Sequence, residues 1–187
     1  MMTFVNMDSA GITILPTHRV VFGLKDFSSA AFLEQAKEFF HVQSVAAEDA
    51  LALTRLLARQ TGTAFVAISG LGYHMLRAKP DVVAQALARL PERQRKLDLT
   101  QLHSLVLEQL LGITPEAIRE QQNLRYVRDA GEAMEQVSRR EADVAFLTNP
   151  ITLGQLREVA FAGDVMPQKS TDFYPKLLSG LAIYALD

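Results

Sequence analysis

Ala64-Phe65-Val66-Ala67-Ile68 is an unbroken apolar run. Successive side chains of a strand point to opposite faces, so a strand of this composition has to be covered on both sides. A sheet with helices on both faces does this. The chain supplies such helices. Phe32, Leu33, Ala36, Phe39 and Phe40 share one helical face, with Ser28 or Ser29 as the cap. A second helix turns Ala50, Leu53, Leu56 and Leu57 inward and stops at Gly62. Asp81–Leu90 and Leu99–Leu111 follow; the latter is apolar nearly all round, opens with Asp98 and Gln101 at capping-box spacing and closes at Gly112. Thr114-Pro115-Glu116 starts a short helix with proline at its first position.

Strands alternate with these helices. Phe4–Met7 and Ile12–Leu15 read as two strands around a turn at Asp8–Gly11, and His41–Val45 reads as another. Gly70–Gly72 turns the apolar run into a hairpin partner, Tyr73–Arg77. Towards the C-terminus, Leu124–Arg128, Val144–Leu147 and Leu181–Leu186 read as strands. Between them lie a helix capped by Asp129 with Glu132 and one capped by Thr152 with Gln155, the latter with Leu153, Leu156, Val159 and Ala160 inward and Gly163 at its end. The expected fold is α/β: a mixed sheet with flanking helices, whose C-terminal β-α-β-α-β unit is partly parallel. Residues 1–187 read as one α/β region with a sub-boundary near 112–123.

Composition removes several functions. There is no cysteine among the 187 residues, so disulfides, thiolate metal sites and thiol catalysis are excluded. A formal charge of −2 gives no electrostatic footprint for nucleic acid and no basic face for anionic lipid. Leu177–Leu186 is too short to span a bilayer. No signal peptide is read at the start, and the expected location is cytoplasmic. The four histidines are scattered, so no metal site is expected.

The segment Met166–Lys176 is the leading candidate for function. Its two prolines and its hydroxyls mark a loop. Lys169 and Lys176 bring positive charge, and Ser170, Thr171 and Tyr174 bring hydroxyls beside it. That mixture suits a phosphate or carboxylate. The competing reading is a surface loop pinned by Phe173 and Tyr174. Thr17-His18-Arg19, after the strand Ile12–Leu15, offers a titrating imidazole and an anion-gripping guanidinium, or else a solvated polar turn. Thr148-Asn149-Pro150 ends a strand, where ligand crevices of α/β sheets often lie; it also simply precedes a helix.

With these residues in view, the chain resembles a prokaryotic family of unknown function, number 1015 among such families. The resemblance rests on Val5-Asn6-Met7, Ile14-Leu15-Pro16-Thr17-His18-Arg19 and Ala145-Phe146-Leu147-Thr148-Asn149-Pro150. It rests most on Met166–Thr171, Phe173–Leu177 and Ser179-Gly180-Leu181. Full-length members are about twice this size, and the resemblance implies that this chain is their C-terminal half. Their other half carries an Asp-Gly-His-His-Arg motif, similar to that of ParB-like proteins, sulfiredoxin and free-serine kinases. This chain lacks the motif, so activity attached to it does not carry over. The resemblance implies ATP or ADP with Mg as cofactors of the full-length family. The expectation for this chain is therefore part of a small-molecule phosphotransferase that holds an anionic small molecule. Lys169, Ser170, Thr171, Tyr174, Lys176 and Asn149 are the binding candidates, and His18 and Arg19 the catalytic candidates. Two alternatives stand beside it: a non-catalytic ligand-binding or regulatory module, and a split product that needs a separate N-terminal half chain or a second copy of itself.

Overall fold

The computed structural model describes residue 6 and residues 11–176. The expected strands Phe4–Met7 and Leu181–Leu186, and the turn at Asp8–Gly11, lie outside the described residues or largely so. In chain order the elements are β1 (Thr13–Leu15), β2 (His18–Val21), α1 (Ser29–Ala36), β3 (Phe40–Val45), α2 (Ala50–Ala58), β4 (Ala64–Ser69) and β5 (Gly72–Ala78). There follow α3 (Pro80–Ala86), α4 (Glu92–Arg95), α5 (Asp98–Gln101), a π-helix (Leu102–Leu110), α6 (Pro115–Glu120) and β6 (Leu124–Val127). The last are α7 (Ala130–Ser138), β7 (Val144–Leu147), α8 (Leu153–Phe161) and β8 (Asp172–Tyr174). No helix among the described residues is long and apolar enough to cross a membrane.

Six strands form an open sheet in the order β3-β5-β4-β7-β2-β6, and β1 pairs with β8 in a separate two-stranded sheet. Every described pairing is antiparallel. This corrects the expected partly parallel C-terminal unit. The crossover β6-α7-β7 does join two strands of the same direction, but β2 lies between them and pairs antiparallel with both. Sequence periodicity cannot reveal such an inserted strand. Pro16 and the polar pair His18-Arg19 read as a turn, whereas His18–Val21 is a fully buried strand, next to the β6 edge of the sheet.

The sheet sorts its side chains with period two. On β4, Phe65 and Ala67 face one core, and Ala64, Val66 and Ile68 face the other. The first core takes Phe32, Leu33 and Ala36 of α1, together with Leu102, Leu105, Val106 and Leu107 of the π-helix. The second is covered by Leu53 and Leu57 of α2 and by Ala133 and Val137 of α7.

Several local expectations hold. Ser28 accepts from the Ala31 N–H and Thr114 from Ala117. Thr152 and Gln155 make a complete capping box. Others are corrected. The first helix ends at Ala36, and Phe40 begins β3 instead. Ala160 is exposed. Asp98 and Gln101 form no capping box. Asp98 accepts from the Thr63 hydroxyl at 2.7 Å, and Gln101 donates to the Arg95 carbonyl at 2.8 Å. Asp129 caps α7 through the N–H groups of Gly131 and Glu132, while the Glu132 side chain accepts from Gln136 rather than reaching back. Beyond α5 the backbone widens into a π-helix, seen where the Leu111 N–H reaches the Val106 carbonyl at 2.9 Å.

Phe146 on β7 is fully buried and meets Phe32 edge-on, ring centroids 5.8 Å apart. It links the sheet to α1. Phe146→Ala removes this contact and leaves a cavity, so it is expected to cost about 3–5 kcal/mol of folding stability by urea denaturation.

Candidate functional site

The end of β6, the start of β2 and the end of β7 meet at one end of the sheet, since His18 pairs with Val127 and Arg19 with Phe146. Chain ends of strands at such a crossover border a crevice. Two clefts open there.

The smaller, about 600 Å³, is lined by Thr17, Gln121, Tyr126, Val127, Arg128, Glu132, Lys169, Thr171, Asp172 and Lys176. The expected residues Lys169, Thr171 and Lys176 thus come together, with Thr17 across from them. The others do not join them. Tyr174 is exposed on β8, and Asn149 faces the end of α2, its amide 3.5 Å from the Leu57 carbonyl. Ser170 is buried and its hydroxyl donates to the Pro167 carbonyl at 2.5 Å. The segment is also less of a loop than expected: Asp172–Tyr174 is a strand, in register with Thr13–Leu15.

Charge in this cleft is unevenly matched. Asp172 accepts from both Arg128 and Lys176, at 2.5–2.9 Å. Burial raises the Asp172 carboxyl, but the hydrogen bonds from Lys176 and Arg128 outweigh it and hold it below the usual carboxylate value. Two cations therefore share one anion. Lys169 has no ion pair among the described residues. It also has a left-handed backbone, φ 56°, which is strained for a side chain with a Cβ.

Arg19 lies beneath this cleft. Its guanidinium is fully buried, with no carboxylate paired to it among the described residues. It donates instead to the carbonyls of Thr17, Gln168 (3.2 Å) and Lys169 (3.4 Å), and its carbon sits 5.2 Å from the Tyr126 ring centroid. Burial lowers its pKa to about 10, so it stays charged at neutral pH. The expected anion-gripping Arg19 is thus placed as a clamp on the backbone of the two segments that line the cleft.

The larger cleft, about 1010 Å³, lies on the opposite face between the starts of α2 and α7. His18 lines it. His18 and Arg19 are consecutive on β2, so the pleat sends them to opposite faces, and they do not act on one ligand group. His18 accepts the Thr148 N–H at Nδ1, 3.3 Å away. Burial, and then the Arg19 charge, lower its pKa to about 4. It is therefore neutral at pH 7, with its proton on Nε2. No local pattern marks this second cleft, because Asp49 and Asp129, which begin its two helices, are eighty residues apart. Arg128 lines both clefts. Among the described residues no group of three or more histidine or carboxylate side chains is gathered as a metal site.

This geometry defines an α/β protein with an open antiparallel sheet, flanking helices and a cationic cleft at one sheet end. The model of a protein family of unknown function, DUF1015, matches residues 1–100, more than half of the chain, and the chain belongs to that family. No curated protein matches it. Among solved structures, a mutant free serine kinase in complex with AMP is similar, with a TM-score of 0.50 at 14% identity over 90% of this chain and 56% of that one. A conserved hypothetical protein from Pyrococcus furiosus gives a TM-score of 0.49 at 15% identity over 90% of this chain and 59% of that one. At such identity the likeness to the kinase is one of fold. The chain spans between 56% and 59% of the length of these two structures.

Two buried histidines make acid stability a test of this geometry. His103 in the π-helix is also buried; desolvation, then Arg19, lower its pKa to about 3. In the unfolded chain both titrate near 6.5. Between 6.5 and about 4 the unfolded state therefore binds more protons, and stability falls as the pH drops through that window. Above 6.5 the contribution is complete. Each histidine has a limiting slope of about 1.4 kcal/mol per pH unit. Asp98, raised by burial, acts in the opposite sense and is common to wild type and variant. His103→Leu is expected to lose less stability than wild type between pH 7 and pH 4.5 in urea titrations. Identical losses would show that His103 does not titrate as placed.

Proposed function

We propose that this chain holds the phosphate groups of a small-molecule ligand and forms part of a kinase-like phosphotransferase. The observation that carries the reading is the cleft of Thr17, Arg128, Lys169, Thr171 and Lys176. There three cations face two carboxylates, Glu132 and Asp172, and Lys169 is kept in a backbone conformation that glycine would adopt more easily. Asp26, Gln121 and Arg140 share this left-handed backbone, and Gln121 lines the same cleft. The fold shared with a free serine kinase solved with AMP supports a nucleotide as the phosphate carrier. ATP and ADP are the natural candidates.

In phosphoryl transfer the protein chiefly positions oxygens and offsets charge. Lys169 would take a phosphate oxygen directly. Arg128 and Lys176 would turn partly from Asp172 to the ligand, and the Thr17 and Thr171 hydroxyls would donate to it. Arg19 acts through the backbone, keeping Thr17 and Lys169 at a fixed separation. Among the described residues no three histidine or carboxylate side chains gather as a magnesium site. In this reading magnesium ligands and a general base come from an N-terminal half or a second copy.

A second reading, a ligand-binding or regulatory module without catalysis, is favoured by one observation. Ser170 and His18, the expected donor and proton carrier, are already committed to the Pro167 carbonyl and the Thr148 N–H. Binding without turnover in an intact relative would select it.

The decisive variant is Lys169→Gly. Relief of the left-handed strain is expected to raise stability by up to about 1 kcal/mol in thermal melts. Loss of the ammonium is expected to weaken ADP binding at least tenfold in calorimetric titrations. A variant that binds ADP as well as wild type would remove the proposal's basis.

A further inference from the structure

The larger cleft has a chemistry unlike that of its neighbour. Its polar floor is His18, 1% exposed, whose Nδ1 is taken by the Thr148 N–H. The Nε2–H is left as a donor with no partner among the described residues. The walls are Tyr73, Leu51 and Met134. At the mouth, Asp49 accepts from the Ala52 N–H in the first turn of α2, and Asp129 from the Gly131 and Glu132 N–H groups in that of α7. Glu48 and Glu135 add further negative charge, and Arg139 is paired with Glu135.

A second anion is therefore disfavoured here. Asp49 and Asp129 already place a carboxylate on the first turn of each helix, and four carboxylates line the rim. An uncharged group fits: flat enough to lie against an aromatic ring and two aliphatic side chains, and carrying an acceptor for one imidazole N–H. The two clefts share Arg128. One ligand, neutral at one end and anionic at the other, can thus pass across that residue.

We propose that the cleft floored by His18 holds the nucleoside of a nucleotide whose phosphates extend past Arg128 to Lys169 and Lys176. This rests on the phosphate-binding reading above and adds the place of the nucleoside and the way the ligand lies. A neutral His18 serves such a site, since a protonated imidazole would draw the phosphates across to the wrong side.

The test uses the whole chain and three probes, adenosine, ADP and inorganic tripolyphosphate, titrated calorimetrically into wild type, Leu51→Arg, Tyr73→Ala and Lys169→Ala. Leu51 is 54% exposed, so its substitution is tolerated by the fold. Wild type is expected to bind ADP at least tenfold more tightly than tripolyphosphate. Leu51→Arg and Tyr73→Ala are expected to abolish that advantage and leave tripolyphosphate affinity within twofold. Lys169→Ala is expected to weaken ADP and tripolyphosphate alike. Adenosine is expected to shift the His18 imidazole resonances in the NMR spectrum at pH 7. If ADP and tripolyphosphate bind equally, or if both rim variants leave ADP untouched, the nucleoside assignment is wrong while the phosphate site stands. If neither phosphate compound binds wild type, both readings fall together.

Discussion

The buried guanidinium of Arg19 ties the candidate site to the fold. Moving a charge out of water costs several kcal/mol unless its hydrogen bonds are replaced. Here the replacement comes from carbonyls, not from a carboxylate: Thr17 on one side, Gln168 and Lys169 on the other, with the Tyr126 ring alongside. Those carbonyls belong to segments about 150 residues apart. The cleft keeps its width because this one group has to be solvated by both. The arrangement is not fully satisfied. The Arg19 Nε, the Tyr126 hydroxyl and the Gln168 side-chain oxygen are buried without partners among the described residues. A stability-optimised core would not keep three orphan polar atoms around a charge.

The second constraint is the pleat of β2. Because consecutive residues face opposite ways, a single strand serves two clefts: Arg19 supports the cationic one from below and His18 floors the other. β2 lies inside the sheet, flanked by β6 and β7. Buried on both faces, the imidazole stays neutral at pH 7 while the guanidinium stays charged.

Much of the scaffold was legible because its signals are local. The apolar run of β4, the hairpin into β5, the Ser28 cap and the Thr152–Gln155 box each depend on a few neighbouring residues, and each appears where the pattern places it. The failures that bear on the site are non-local. His18-Arg19 looked like a turn because polar residues after a proline usually are one; only pairing on both sides makes them a buried strand. Ser170 looked available because sequence does not show the Pro167 carbonyl that takes its hydroxyl. The convergence of Lys169, Thr171 and Lys176 was readable from their closeness in the chain. Arg128, which joins the clefts, was not, since nothing around it in sequence separates it from any other surface arginine.

The insertion of β2 between β6 and β7 has a kinetic side. Both neighbours of this strand, made near the beginning of the chain, are made more than a hundred residues later. During synthesis its backbone N–H and C=O groups wait for partners while β3, β4 and β5 can already pair among themselves. Contacts closing loops of that length slow folding. The sheet should therefore assemble as a preformed β3-β5-β4 leaf, on which β7 docks and then draws in the early strand. Both clefts come into being only at that last step, so a chain able to bind its ligand is one whose folding is complete.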